Sequence, residues 1–411
     1  MLCSICPKRQ DLRPLVFCLR RRRMEQYYDY LIEQRRFLHQ IPELAFQEFK
    51  THAHILKEVQ SLAHAEISQP TPTSLVVDFK SAKPGLRIGL RADIDGLPIQ
   101  ELARDQGFKS QHPGQMHACG HDVHAATLLA CCRYLSEHFA DIEGEIRCIF
   151  QHAEEVAQGG GKALVEAGVL DGLDILYAMH VDPTLPSGQI DIKAGANTTN
   201  TYTYTIEIEG QGGHAAKPHE ANHPLTSVLA ICQGIQAIAA NHIPPQEVAV
   251  ITNTVVQMGD LQAPNIIPQI AYLAGSIRTF EDQVTQQVID ALELLVKGVC
   301  QARQMSHQLN IIYDCPSVMN DPEVTNYVRA LAQEVFTQEQ VVERPPSMVG
   351  EDFAYMSRRV PACFVWLGIY NEICGAVYPL HHPKFTVDEA ALAKGLDLML
   401  RVALNKGSFL S

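Results

Sequence analysis

Gly85-Leu86-Arg87-Ile88-Gly89-Leu90 is an apolar run that passes directly into Arg91-Ala92-Asp93-Ile94-Asp95-Gly96-Leu97-Pro98, and it sets the architecture expected of this 411-residue chain. Such a run reads as a strand, and the Gly-Leu-Pro that follows closes it. Asp93 and Asp95 therefore sit just past a strand's carboxyl end. Outward from this point the arrangement recurs. Ser74–Lys80 reads as a neighbouring strand, Glu145–Phe150 as another that delivers Gln151-His152-Ala153-Glu154-Glu155, and Leu173–Ala178 as a third that ends in Met179-His180. Between them the periodicity predicts a helix over Thr127–Phe139 and a shorter one near Lys162–Ala167, opened by Gly159-Gly160-Gly161. Strands alternating with helices predict an α/β domain with a largely parallel sheet. Three strands deliver acidic or imidazole groups at one edge, where open α/β sheets place their ligands.

The middle of the chain follows a different order. Thr201–Glu209 reads as a strand, Leu225–Ala240 as a helix, Glu247–Met258 and Ile270–Ile277 as strands, Glu281–Gln304 as a long helix and Gln308–Tyr313 as a last strand. That order, βαββαβ, is the ferredoxin-like signature and predicts a second domain inserted into the first. The expected boundaries are a basic extension over residues 1–23, a first catalytic part over 24–196, the inserted domain over 197–314 and a second catalytic part over 315–411. Glu25 to Val59 has helical spacing broken at Pro42, which predicts two helices. Beyond Cys315 the pattern predicts a helix over Glu323–Gln338, a strand over Ala362–Gly368 and a final helix over Asp388–Leu404.

Residues 1–23 carry Lys8, Arg9, Arg13 and Arg20-Arg21-Arg22-Arg23, with a short apolar patch ahead of the arginines. A secretory signal has the opposite order. A start at Met24, a disordered basic tail and, least favoured, a targeting role are the readings that remain. Cys3 and Cys6 have no second pair beside them and predict no metal site.

Composition narrows the function. Hydrophobic residues make up 46% and charged residues 19%, as in a globular protein. A formal charge of -13 leaves no excess of Lys or Arg for phosphates, so no nucleic-acid partner is expected. No apolar run approaches the length of a membrane span, so no membrane partner is expected. Twelve irregularly spaced cysteines fit free thiols in a reducing cytoplasm better than a disulfide scaffold.

The densest chemistry is His117-Ala118-Cys119-Gly120-His121-Asp122-Val123-His124. Cys and His are favoured zinc ligands, yet Cys-x-His is shorter than zinc-finger spacings, and alone it reads equally well as a polar loop. The weight comes from matching singletons: one of Glu154 and Glu155, His180, and one of His381 and His382. A two-metal hydrolase needs about three protein ligands per ion, some shared, and a carboxylate free to take a proton from water. Adjacent glutamates can divide those tasks.

These stretches, with Gly212-Gly213-His214-Ala215-Ala216, Gly350-Glu351-Asp352-Phe353 and Leu380-His381-His382-Pro383-Lys384-Phe385, resemble the amidohydrolase branch of the aminoacylase/carboxypeptidase metallopeptidase family. That branch includes hippurate hydrolases, N-acyl-amino-acid amidohydrolases and auxin-conjugate hydrolases. The match runs in order from about residue 25 to about residue 405. It implies a zinc-peptidase-like catalytic α/β domain interrupted by a lid that also dimerises. By position it implies that Cys119, His121, Glu155, His180 and His381 bind two divalent ions, zinc or manganese and in some cases cobalt or nickel. Glu154 becomes general base, and Asp95 a support behind the ligands. His214 becomes the lid histidine that reaches the neighbouring subunit's site and stabilises an oxyanion. Asn265 and Arg278 become the groups that grip the substrate's free carboxylate.

Three departures from the branch stand out. His152 replaces a proline before Ala153-Glu154-Glu155, Asn197-Thr198-Thr199-Asn200-Thr201-Tyr202 replaces a more apolar hinge, and His382 stands where Asn, Ser or Thr is usual. The expected activity is hydrolysis of an N-acyl-L-amino acid to a carboxylic acid and a free amino acid, by a homodimer. A dipeptidase or metal-dependent carboxypeptidase is the alternative, and a catalytically silent binding protein of the same fold is a third reading.

Overall fold

The computed structural model describes residues 13–102 and 107–404. Helix α1, Arg13–Gln40, runs unbroken through Met24, while residues 1–12 of the expected basic extension, with Cys3 and Cys6, lie outside the described residues. Helix α2, Phe49–Gln60, follows beyond Pro42, so two helices open the domain.

An eight-stranded sheet lies at the centre. Strands β1 (Glu66–Ser68), β2 (Leu75–Lys80), β3 (Arg87–Asp93), β4 (Glu145–Gln151) and β5 (Ile175–Pro186) take the order β1-β2-β4-β3-β5, followed by Ala362–Tyr370, Ile190–Asp191 and Val341–Val342. β4, β3, β5 and Ala362–Tyr370 are parallel, and β2 is antiparallel to both its neighbours. β3 leads through helix α3 (His121–Glu137) to β4 on one side, and β4 leads through helix α4 (Gly160–Glu166) to β5 on the other. Such a switch point opens a crevice at the strands' carboxyl ends. The β3–β5 ladder stops at Arg91 opposite Ala178, whereas β5 continues along Ala362–Tyr370 until Pro186 faces Tyr370. His180 consequently lies inside a strand, past the fork, and not at the strand end that its apolar run suggested.

Both faces of the sheet are covered. Leu31 of α1, Ile55 of α2, Leu128 of α3 and Leu396 of the helix Leu392–Leu404 share one core with Leu90, and Leu164 of α4 and Phe353 share the other with Ile149. Each such fully buried side chain contributes about 1.5–3 kcal/mol. Two expected helices come out shorter. The helix capped by Asp321, with Pro322 at its first position, ends at Ala332, and Thr337 starts a separate 3-10 turn with its own capping box. The last helix begins at Leu392, behind a 3-10 turn that Asp388 caps.

The inserted unit has its own sheet and core. Ala249–Met258, Ile270–Thr279, Asn200–Glu209 and Ser306–Cys315 lie in that order, all antiparallel, with helices Leu225–His242 and Asp282–Ala302 packed against them. The chain order is βαββαβ. Tyr204, Ile231, Leu273 and Leu292 fill the core. The crossing segments are polar yet buried. Trp366 Nε1 donates to Asn197 Oδ1 at 2.5 Å, Asn200 Oδ1 accepts from the Ser317 N–H at 2.8 Å, and Thr198 Oγ1 accepts from the Val318 N–H at 3.0 Å. These bonds explain why the hinge tolerates Asn and Thr where apolar residues are usual. Among the described residues no helix is long and apolar enough to cross a membrane.

Candidate active site

Where β3 and β5 part, five pieces of chain converge: the end of β3, the loop after β4, β5 beyond Ala178, the start of α3, and the turn at Glu351-Asp352. Arg91 is buried beneath them. A guanidinium out of water needs partners on all sides. Its Nη1 donates to Asp93 at 2.8 Å, its Nε to Gln151 at 2.8 Å and its Nη2 to Asp352 at 3.1 Å, with Glu351 also 3.1 Å from Nη2. Gln151 Nε2 and the Gly161 N–H donate to the same Asp352 carboxylate at 2.6 and 2.7 Å. The floor of the site is thereby tied to two strands, the start of α4 and one turn.

The imidazoles above it are oriented from behind. His121 Nδ1 is 3.0 Å from Asp95 Oδ1, which leaves Nε2 facing forward without a hydrogen-bond partner, 3.8 Å from Glu155 and 3.9 Å from Glu154. His180 Nδ1 donates to the Val181 carbonyl at 2.7 Å, and its Nε2 lies 3.5 Å from Cys119 Sγ. A carbonyl can only accept, so the hydrogen of His180 sits on Nδ1 and Nε2 is left to ligate. His381 Nε2 lies 3.3 Å from Glu155 Oε1. Cys119 is common to two triads, Cys119–His121–His180 and Cys119–Glu155–His381, in each of which the ligand atoms lie within 4.8 Å of one another. Two triads that share a sulfur suit two ions with a shared ligand. His124 is different: Asp93 holds its Nδ1 at 2.5 Å and the Val181 N–H donates to its Nε2 at 3.0 Å, so neither nitrogen is left to ligate.

Electrostatics favours cations here. Burial, with Glu155 and Glu154 beside it, pushes the Cys119 thiol well above its usual range, and burial with Glu351, Glu155 and Asp352 pushes Glu154 up as well. Burial lowers the His121 pKa, but Asp93, Asp95 and Glu155 outweigh it and raise it to about 10. In all three, neighbouring carboxylates add to the upward shift, and a pair of divalent ions would relieve that negative charge. The residues present therefore fit such ions.

The loop that carries the two glutamates is strained and braced. Ala153 and His381 have φ of 50° and 62°, left-handed values that a non-glycine residue adopts only where its surroundings over-determine them. The Ala153 N–H donates to Glu48 at 2.8 Å and the Glu155 N–H to Asp95 at 3.0 Å. A Cβ on Gly160 would fall onto the His152 carbonyl oxygen, and one on Gly159 onto the Ala153 carbonyl oxygen. The glycine run thus backs the loop as well as opening α4. The His381 N–H donates to the Ala118 carbonyl at 2.8 Å, which joins its loop to the Cys119 segment.

A cavity of about 540 Å³ opens over this cluster, lined by Cys119, Glu154, Glu155, His180 and His381, and by Arg278 of the inserted unit. Arg278 donates to the carbonyls of Ile277 at 3.1 Å and Tyr202 at 3.5 Å, and no carboxylate among the described residues pairs with it. Cys315, Thr201 and Trp366 line the same space. His382 does not; it stacks on Tyr378 with centroids 4.5 Å apart. His152 is buried against Phe46, with ring centroids 5.4 Å apart, and does not line the cavity either. His214 and Asn265 stand apart, on a two-stranded ladder in which His214 pairs with Ile266. Both are exposed there, and the Ala215 N–H donates to the Asn265 carbonyl at 3.0 Å. So seven of the ten expected site residues gather at the edge of the central sheet, Asp95 from behind, Arg278 of the inserted unit lines the same cavity, and His214 and Asn265 lie elsewhere in the same chain. Sequence reasoning quoted Arg91, Glu351 and Asp352 without a role and passed over Glu48. An Arg between apolar strand residues, followed closely by Asp, was the available signal for the buried hub.

The model of peptidase family M20/M25/M40 matches residues 89–405. The N-acetyldiaminopimelate deacetylase of Priestia megaterium is 37% identical over 92% of this chain and 98% of its own length. Thermostable carboxypeptidase 1 of Saccharolobus solfataricus is 35% identical over 89% of this chain and 93% of its own. Among solved structures, a dinuclear metal binding peptidase of Bacillus subtilis superposes with a TM-score of 0.79 at 33% identity, covering 92% of this chain and 98% of that one. With two triads of potential ligands sharing Cys119 at the edge of a matching fold, the chain belongs to peptidase family M20/M25/M40 and is a hydrolase whose clustered side chains fit a pair of metal ions.

Proposed function

We propose that the protein hydrolyses the amide bond of an N-acyl-L-amino acid, releasing a carboxylic acid and the free amino acid. The observation that carries this reading is that Glu154, Cys119, Glu155, His180 and His381 share one cavity with Arg278, with which no carboxylate among the described residues pairs. Cys119, His121, Glu155, His180 and His381 would hold the two ions, for which a thiolate beside imidazoles favours zinc, with manganese as the other candidate. When bound, the ions polarise the amide carbonyl and acidify the attacking water. Glu154 accepts that water's proton and hands it to the amide nitrogen as the C–N bond breaks. Asp95 keeps the His121 hydrogen on Nδ1. Arg278 takes the substrate's carboxylate in its fork.

His214 and Asn265 complete the site from a second copy of the chain, His214 at the oxyanion and Asn265 at the carboxylate. Their exposure supports this, and so does the unpaired outer edge of Ala249–Met258, where Val250, Val255 and Val256 are exposed. An edge strand with apolar side chains is a template for pairing with another copy. A homodimer in a reducing cytoplasm, where Cys119 stays reduced and free to ligate, is part of the reading.

A relative named as a deacetylase favours a small acyl group, and one named as a carboxypeptidase favours a peptide substrate as the second reading. Metal-stripped protein refilled with zinc or manganese should release free amino acid from N-acetyl, N-benzoyl or indoleacetyl amino acids. Release from dipeptides alone would transfer the reading to a peptidase, and silence on every compound with metal bound would overturn it.

A further inference from the structure

Glu48 lies just before α2, over a hundred residues from the catalytic loop in sequence, and it is fully buried. One carboxylate oxygen accepts from two backbone N–H groups, Phe46 at 2.9 Å and Ala153 at 2.8 Å, and the Thr73 side chain is a further hydrogen-bonding neighbour of the carboxylate. Burial, with the charge of Asp95 nearby, raises its pKa to about 7. A structural bond to an N–H does not require a carboxylate in such a place, since a glutamine would make it with less desolvation. What the bond holds is specific. Ala153 is the residue at φ 50° immediately before Glu154, and the residue immediately after, Glu155, has its N–H on Asp95 at 3.0 Å. Carboxylates from two separate elements thus grip the peptide on either side of Glu154, and the glycines behind leave the loop no room to retreat.

We propose that Glu48 is a positioning residue: with Asp95 it clamps the strained peptide at Ala153 and so fixes where the Glu154 carboxylate stands over the metal cluster. This rests on the reading of Glu154 as general base. Loss of the clamp lets Ala153 relax toward an ordinary φ and swings Glu154 away from its proton-transfer position. Displacements of that kind cost about a hundredfold in rate.

Glu48→Leu, which keeps the bulk and removes the acceptor, should lower kcat by about 10–100-fold with KM and bound metal per subunit changed less than about threefold. Glu48→Gln, which keeps an acceptor oxygen, should restore kcat to within about threefold of wild type. Should the leucine variant fail to fold, Glu48→Asp carries the test, because it withdraws the acceptor by one methylene and keeps the charge; kcat should again fall. A kcat in the folded, metal-loaded leucine or aspartate variant equal to wild type overturns the clamp. Glu154→Gln, run alongside, separates the two ideas: if it keeps turnover, the base assignment has failed, whereas a dead Glu154→Gln beside a fully active Glu48→Leu removes the clamp alone.

Discussion

The loop at Ala153–Glu155 and the ladder at His214 are both short pieces of chain that carry expected catalytic groups, and they are built in opposite ways. The first is buried, strained at Ala153, and gripped by Glu48, Asp95 and a run of glycines. The second is exposed; its strand is two residues long, and among the described residues the His214 ring accepts from the N–H of Ala216 alone, at 3.1 Å. The difference separates what one chain can preorganise from what it cannot. Proton transfer and metal binding need fixed geometry, and a sheet edge with a buried Arg91 hub supplies it. A group at an exposed tip acquires fixed geometry only when another surface closes on it.

The sharpest way to break the comparison is at the rigid end. Glu154→Ala should lower kcat by about a thousandfold or more while the bound metal, counted by atomic emission, stays at two per subunit. Residual turnover within tenfold of wild type would mean that the braced loop serves something other than proton transfer.

The bracing should also appear in stability. The folded pKa of Glu48, about 7, lies above the ordinary 4.5, so between those values the folded chain keeps a proton that the unfolded chain has released. The stability of wild type relative to Glu48→Gln should therefore fall as pH rises from about 4.5 to about 7 and stay flat above, by about 3 kcal/mol in all. Urea unfolding of both proteins at pH 5 and pH 8 measures it; an equal difference at the two pH values would contradict a buried carboxylate at that position.

A smaller effect is expected behind the ligands. Asp95→Asn keeps the shape but weakens the hold on His121 Nδ1 and on the Glu155 N–H, so metal affinity should fall about 10–100-fold in competition with a chelator. No change would mean that the cluster orients itself.

Much of this was legible before the structure. Apolar runs ending in Asp95, Glu155 and His180 mark a sheet edge because buried parallel strands are continuous in Val, Ile and Leu, and the inserted unit showed its βαββαβ order through clean alternation. Strand ends were read short, since a ladder continues for as long as a neighbour pairs with it: β3 runs on to Asp93, and β5 runs on to Pro186. The resemblance named one histidine of the pair at 381 and 382, and in the structure His381 faces Glu155 while His382 stacks on Tyr378. The hub at Arg91 and the brace at Glu48 stayed hidden, because contacts between residues 91 and 352, or 48 and 153, leave no periodic trace. Nor does sequence position reveal that His214 and Asn265 stand away from the cavity.

Whether two copies of the chain build one reaction site is tested most directly by complementation. Glu154→Ala and His214→Ala proteins should each be inactive or nearly so, the latter by about 10²–10³-fold. Co-expressed with different tags and purified as the mixed dimer, they should regain about half of wild-type turnover, because one of the two symmetry-related sites then has an intact Glu154 and a partner's intact histidine. A mixed dimer as dead as its parents, or a His214→Ala protein with full activity, would contradict the account.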